Sequence, residues 1–276
     1  MKLSPYQKDV AALFDRLSSV YDGAATRFFP FCADRMAYRF PPGRDSKVLD
    51  IATGTGALAL SLAQNMGRGN GRVIGIDFSP GMLDVAYHNM RRLALQNVDL
   101  HEMDASKLEF RDNYFDAVYC SFGLFFIEDM QAALEEWRRV TCSQGRLVLS
   151  CFVKGAFQPM GALLSARFEA LGVKLAGENG TYTWDRLATA EQCEKLLQQA
   201  GWSQIEVHQE QCGYHLMKVD EWWDVIWNTG FRRYLEQLTE QQLEQLKVDH
   251  LAELEPLMTE KGLWLDVPVH FVSAVR

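Results

Sequence analysis

The sequence predicts an α/β protein: a Rossmann-like, doubly wound, seven-stranded sheet, mostly parallel with its last strand antiparallel, carrying helical cap elements. Three observations lead there. From Lys47 onward, short apolar runs alternate with helical stretches, the pattern of βαβ units and a parallel sheet. A Gly54-Thr55-Gly56 turn stands between the first apolar run and a helix of small residues. Asp77 and Asp104 close two later strand patterns at one edge of the expected sheet, the edge where open α/β sheets bind ligands.

The elements follow in order. Val10, Leu13, Phe14 and Leu17 recur at one-face helical spacing, which predicts an amphipathic helix over 5–21. The stretch FFPFCADRMAYRFPPGRDS mixes aromatics with a Pro-Pro-Gly stop, and 1–45 reads as a helical lid that packs on, or closes over, the rest. Strands are expected at 47–52, 73–77, 98–102, 115–121 and 146–152, with helices at 57–66, 80–96 and 129–141; 46–155 is the expected nucleotide-binding core. Residues 156–213 read as completion of the core with a helical insertion. They contain a helix around GALLSARFEAL, a Gly-rich loop GENGTYTW, a helix over 189–200 opened by a Thr189-x-x-Gln192 capping box, and a strand SQIEVHQEQ. Residues 214–262 read as an aromatic helical cap, with EWWDVIWNTGFRRYL and a second helix opened by Thr239-x-x-Gln242. The stripe Leu243, Leu246, His250, Leu254 and Leu257 must cover apolar surface. Residues 263–276 supply the final strand, around DVPVHFVSAV.

Composition narrows the class. The 276 residues are 48% hydrophobic, enough for one sizeable core with appendages. Net charge is 28 minus 36, or −8, which disfavours a polyanionic partner, since phosphate contacts need clustered Lys and Arg; no nucleic-acid partner is expected. The N-terminal stretch has no basic segment followed by an apolar core, and no run approaches the length of a membrane span. No integral membrane association is therefore expected. Six scattered cysteines without a CxxC pair predict reduced thiols in a cytoplasmic protein, with no zinc site and no metal. The expected oligomeric state is a monomer or a homodimer.

Two residue groups carry chemistry. Gly54, Gly56 and Ala59 fit G-x-G-x-x-A, and Asp77 follows Gly56 by 21 residues, so a nicotinamide dinucleotide is one reading. Asp50, set inside the first apolar strand, points elsewhere. A buried carboxylate without a partner costs several kcal/mol; it needs loop N–H groups, water or a cationic ligand. A pyrophosphate gains nothing from it, whereas a ligand with an ammonium and a sulfonium does. Tying down the glycine loop by hydrogen bonds is the plainer role, and the two can coexist.

The motifs VLDIATGTG and GRVIGIDFSPGMLDVA resemble the first two motifs of class I S-adenosylmethionine (SAM) dependent methyltransferases, in the branch of the ubiquinone and menaquinone biosynthesis C-methyltransferases. MDASKLEF, FDAVYCSFGLFFIEDMQAALEEWRRV and CSQGRLVL continue the match across about 47–152. Ala52 stands where that family usually has the first loop glycine, and Ser143-Gln144-Gly145 replaces a Pro-Gly-Gly turn. The resemblance implies that Asp50, Ala52, Gly54 and Gly56 hold the methionine end of SAM and that Asp77, with Phe78 beside it, takes the ribose hydroxyls. It also implies that Met82 lies against the adenine, that Asp104 and the Ala105 N–H meet the adenine edge, and that the Ser121 backbone meets the SAM amino group. Tyr21, in a Tyr21-Asp22 pair, closes over the cofactor in that family. S-adenosylhomocysteine would be the product.

The acceptor is expected to be a hydrophobic or aromatic small molecule, such as a quinone, a polyketide or another secondary metabolite, methylated on oxygen or carbon and less readily on nitrogen. Base methyltransferases of this fold usually place Asp or Asn, Pro, Pro and an aromatic after the fourth strand, where this chain has Cys120-Ser121-Phe122-Gly123. Phe14, Phe28, Phe122, Trp223, Trp227 and Phe231 are the candidate pocket residues; gluing the cap to the core is their plainer role. His215, just before the cap helix, is the candidate general base. Arsenite methylation would need Cys32, Cys120 and Cys151 to meet in space. The competing readings are an NAD(P)-dependent oxidoreductase and a repurposed, non-methylating protein of the same fold.

Overall fold

The computed structural model describes residues 3–67, 69–177 and 181–276. Its central sheet forms because β1 (Lys47–Ile51), β2 (Arg72–Asp77) and β4 (Phe115–Ser121) are apolar on both faces, as strands covered by helices on both sides must be. With β3 (Val98–Glu102), β5 (Thr141–Phe152), β6 (Ser203–Gln211) and β9 (Pro268–Val275) they make seven strands in the order β3-β2-β1-β4-β5-β9-β6. β1 to β5 pair in parallel, and β9 runs antiparallel to both β5 and β6. The expected sheet is the observed one. The order reverses between β1 and β4, and the site opens beyond the carboxyl ends of these strands.

The helices follow the sequence signals, with different ends. α1 (Pro5–Leu17) starts on a Ser4/Gln7 capping box and stops four residues short of the expected end, and α2 spans Phe28–Arg39. α3 (Ala57–Met66) begins on Gly56, and α4 (Pro80–Arg92) ends before Ala94, which takes a left-handed φ of 53°. α5 (Met130–Val140) runs straight into β5, which therefore begins five residues before the expected 146, with Gln144 kinked at φ 62°. α6 (Met160–Ala170) and α7 (Ala190–Gln199) follow, the latter with both halves of the Thr189/Gln192 capping box formed. Glu178, Asn179 and Gly180 of the Gly-rich GENGTYTW loop lie outside the described residues.

Within 1–45 the two helices sit differently. α2 buries Phe28, Cys32, Ala33, Met36 and Ala37 in the main core. α1 instead packs Leu13 and Leu17 on Met82 of α4 in a small separate cluster with Phe14 and Tyr21. Polar contacts hold α1 over the sheet edge: Asp15 accepts from the Gly81 N–H at 2.9 Å and from the Ser79 hydroxyl, and the Gln7 amide donates to Asp104 at 2.9 Å.

The 214–262 segment is more than helices. A two-stranded ribbon, β7 (Tyr214–Leu216) and β8 (Leu263–Leu265), closes its two ends, and between them lie α8 (Asp220–Trp227), α9 (Arg232–Leu235) and α10 (Glu240–Leu254). Of the expected α10 stripe, Leu246, His250 and Leu254 are buried and Leu243 is partly so, whereas Leu257 lies beyond the helix and is exposed. Trp222 donates its indole N–H to His250 at 2.9 Å, and burial lowers the His250 pKa to about 4, so this imidazole is a neutral acceptor that ties α8 to α10.

Candidate active site

Two adjoining cavities lie beyond the carboxyl ends of β1, β2 and β4. The first encloses about 940 Å³ of space free of protein atoms, part of it open to solvent. Its floor is the β1–α3 loop, where Ala52, Gly54 and Gly56 take left-handed φ values of 54°, 56° and 86°. A Cβ on Gly56 would stand 3.1 Å from Ala86 Cβ, so this glycine permits both the turn and the approach of α4.

Asp50 and Asp77 face this cavity, Asp50 buried and Asp77 half-buried. Asp77 has two backbone donors, the Gly54 N–H on Oδ2 and the Ser79 N–H on Oδ1, each at 2.9 Å. Burial still outweighs these bonds and pushes its pKa up to about 6. Asp50 accepts from the Thr53 hydroxyl at 2.6 Å through Oδ2. Burial, with a smaller push from Asp77, raises its pKa to about 7. The Thr53 hydroxyl and the Ala59 backbone N–H at the start of α3 are neutral donors, and no positively charged side chain balances the Asp50 carboxylate at the cavity wall. A ligand cation is what that carboxylate lacks.

Of the other cofactor positions expected from sequence, Tyr21, Phe78, Met82, Ala105 and Ser121 line this same cavity. Tyr21 stacks on Phe29 with centroids 4.7 Å apart, and burial raises its hydroxyl far above the usual tyrosine range, so it stays a neutral O–H. The Trp137 indole holds the Ala105 carbonyl at 2.8 Å and fixes the loop after β3. Asp104 stands apart. It does not line the cavity: Oδ1 accepts from the Ser106 N–H and hydroxyl, and Oδ2 is met by Gln7 from α1.

Sequence reasoning missed Thr53, Thr55, Gln7 and Met103. The Thr55 hydroxyl donates to Asp22 at 2.7 Å and so fastens the segment before α2 to the glycine loop. Its signal was present in the Tyr21-Asp22 pair, but the partner was not.

The second cavity, about 390 Å³, shares Phe14, Tyr21, Phe29, Phe122 and Phe126 with the first. Phe28 and Phe231, both expected, line it, together with Phe125, Phe152, Phe157 and Trp184, which were not. Phe122 stacks on Phe152 at 4.5 Å, and its own φ is 53°, an uncommon conformation for a bulky residue. The next residue explains the tightness: a Cβ on Gly123 would lie 2.7 Å from Ala52 Cβ and 2.8 Å from Cys120 Sγ. Gly123→Ala is expected to lower stability by about 1–3 kcal/mol, and adding Ala52→Gly should recover part of that loss. Denaturant melts of the two single variants and the double variant check the coupling.

Besides Asp104 and Gly56, which line neither cavity, three residues expected on the acceptor side do not reach either one. His215 lies on β7, its ring against half-exposed Trp264 at 5.0 Å, because pairing with β8 sets it on the ribbon. Trp223 and Trp227, four apart on α8, share one helix face and stack on each other, with Lys247 over Trp223 and Arg232 over Trp227. They fasten the cap, and Trp222 turns inward instead, toward Phe157 and Phe231. Phe31 is about half exposed. The cysteines also separate, Cys151 lying 3.7 Å from Cys193 and Cys32 against Cys212, so Cys32, Cys120 and Cys151 form no triad.

The sheet order, the glycine loop and the two acids define a class I SAM-dependent methyltransferase. Comparison with known proteins agrees. The Methyltransferase domain family matches residues 48–145. The demethylmenaquinone methyltransferase of Chlorobaculum parvum is 31% identical over 208 residues, covering 72% of this chain and 83% of that protein. The aklanonic acid methyltransferase DauC of Streptomyces sp. (strain C5) is 33% identical over 150 residues, covering 54% and 68%. Among solved structures, the YcgJ protein of Bacillus subtilis superposes with a TM-score of 0.59 at 16% identity, over 89% of this chain and 98% of that one, a likeness of fold. The chain belongs to the SAM-dependent methyltransferase family, in the branch of the menaquinone and ubiquinone biosynthesis methyltransferases. Nothing supports the oxidoreductase reading, and the Asp50 carboxylate, without a positive partner, counts against it.

Proposed function

We propose that this methyltransferase acts on oxygen or carbon, and less readily on nitrogen, of an aromatic small molecule seated in the Phe-lined cavity. The observation that carries the reading is the juxtaposition of a buried carboxylate with no positive partner, Asp50, held only by neutral donors, and an adjoining cavity walled by aromatic rings. When bound, SAM supplies an electrophilic methyl group. Asp50 and the backbone of Ala52, Gly54 and Gly56 bind its methionine end. The Asp77 oxygens, each with a lone pair left beside its backbone donor, take the ribose, with Phe78 alongside. Met82, Met103 and Ala105 wall the adenine, and the Ser121 backbone meets the amino group. Asp104 serves the adenine edge only where Gln7 shares or yields its oxygen.

On the acceptor side the work is orientation and exclusion of water. Positioning alone supplies roughly 7–11 kcal/mol. The second cavity carries no Lys, Arg, His, Asp or Glu side chain, so the acceptor brings its own nucleophile. Phenols, hydroxyquinones and enols acidic enough to ionise near neutral pH fit that demand. The relatives' names, demethylmenaquinone and aklanonic acid methyltransferase, agree with a ring acceptor. No described helix is long and apolar enough to cross a membrane, and six free thiols fit a cytoplasmic enzyme.

Incubation with methyl-labelled SAM and a panel of phenols, hydroxyquinones and amines tests the reading. Label is expected in the acidic phenols and hydroxyquinones. Transfer to the amines alone, or to no panel member, would overturn it.

A further inference from the structure

The aromatic cavity has one feature that packing does not require. Thr229, in the turn between α8 and α9, lines the second cavity and not the first, so it sits at the end away from the cofactor loop. It is only 6% exposed, and its hydroxyl has no hydrogen-bond partner. The other buried threonines differ. Thr26, Thr53, Thr55, Thr141 and Thr183 each place the hydroxyl within hydrogen-bond reach of a carbonyl, a carboxylate or another hydroxyl. An unanswered buried hydroxyl is destabilising, and valine, with the same shape, would avoid that cost.

The setting says what the hydroxyl is for. Apart from the Tyr21 hydroxyl, at the junction of the two cavities, and the Trp184 indole, the walls around Thr229 are Phe rings and Gly230. A Cβ built on Gly230 would stand in ordinary contact with Phe126 at 3.5 Å, so the Phe126 ring flanks the turn that carries Thr229. A flat ring system fits between aromatic faces, and it needs one polar group only where the wall offers one.

We propose that Thr229 is the polar anchor of the acceptor site, its hydroxyl donating to a carbonyl or phenolate oxygen at the end of the ring system opposite the methylated centre. This rests on the methyltransferase reading and narrows it: acceptors carry two oxygenated ends, one reacting and one anchored. Thr229 is a specificity determinant and touches no reacting atom.

Calorimetry with 1-tetralone and its hydrocarbon parent tetralin, both in the presence of S-adenosylhomocysteine, tests the anchor. The ketone supplies an oxygen, and the parent has the same frame without it. Thr229→Val is expected to weaken 1-tetralone about tenfold, the equivalent of one hydrogen bond of about 1.4 kcal/mol, and to leave tetralin within twofold. Thr229→Ser should retain the ketone affinity. The melting-temperature rise caused by S-adenosylhomocysteine should be the same in Thr229→Val and wild type, since the variant leaves the first cavity intact. Equal weakening of both probes, an unchanged 1-tetralone affinity, or no binding of 1-tetralone by the wild type would overturn the proposal. Loss of the S-adenosylhomocysteine response in the wild type would instead contradict the methyl-donor reading beneath it.

Discussion

Asp77→Ala is expected to abolish the rise in melting temperature that SAM and S-adenosylhomocysteine give the wild-type protein. The carboxylate ends β2 and already fixes the loop through Gly54 and Ser79, and a ribose would add two hydrogen bonds to a charged acceptor. Such bonds contribute about 1.5–3 kcal/mol each, so affinity should fall at least about 100-fold. Removing the carboxylate also strands two backbone N–H groups, and the variant should melt lower on its own. Asp77→Asn separates the two effects: it keeps a carbonyl acceptor for one N–H, recovers part of the intrinsic stability, and still loses most of the ligand response. A variant that melts lower yet keeps the full ligand shift would show Asp77 to be a loop fastener alone.

The second large effect belongs to Asp50 and depends on pH. With its pKa near 7 in the absence of ligand, the carboxyl is mostly protonated at pH 6 and mostly ionised at pH 8. A cationic ligand binds the ionised form, so SAM affinity should rise from pH 6 through 7 and level off near 8, at up to tenfold per pH unit on the acid side. Binding below pH 7 should release a proton, visible as a calorimetric enthalpy that varies with the buffer's ionisation heat. Asp50→Asn removes the titrating group: its pH profile should be flatter, and its deficit against wild type larger at pH 8 than at pH 6. The same slope in wild type and variant would place the titration elsewhere, with Asp77, near 6, the next group to test.

The sheet was legible because its strands carry their own evidence. Apolar runs at 47–52 and 115–121 cannot be solvent-facing, and the helix at 190–199 announces itself with its Thr189-x-x-Gln192 cap. Ends were less legible. That α4 stops at Arg92 depends on Ala94 adopting a left-handed backbone, and that β5 starts at Thr141 depends on a register shift beside Phe115; neither leaves a mark in hydrophobic periodicity. Residues of the first cavity were readable where one short segment holds them, as with Asp50, Ala52 and Gly54. Asp104 shows the limit. Its place at the edge of the third strand was predictable, but the Gln7 amide that occupies it comes from a helix 97 residues away.

The aromatic cavity was legible as a composition and not as a list. An excess of aromatic rings in 1–45 and 214–262 pointed to a cavity, but the helical phase of α8 keeps its tryptophans out of it: Trp222 packs behind Phe157 and Phe231, and Trp223 and Trp227 stack on each other. His215 failed for a related reason, since three residues of ribbon pairing, invisible as a pattern, set its ring against Trp264. Phe152 and Phe157 from the end of β5 and the turn after it, Trp184 and Thr229 meet from three separate segments, and only the folded chain brings them together.

A crystal structure of the complex with S-adenosylhomocysteine tests the central claim most directly. The ribose hydroxyls should lie within hydrogen-bond distance of both Asp77 oxygens, the ammonium end beside Asp50 and the Ser121 backbone, and the adenine among Met82, Met103 and Ala105, with the sulfur facing the junction at Phe29 and Phe122. Ligand density elsewhere, for example in the polar crevice between α6 and α10 lined by Arg167 and Gln245, or a ribose turned away from Asp77, would contradict the account.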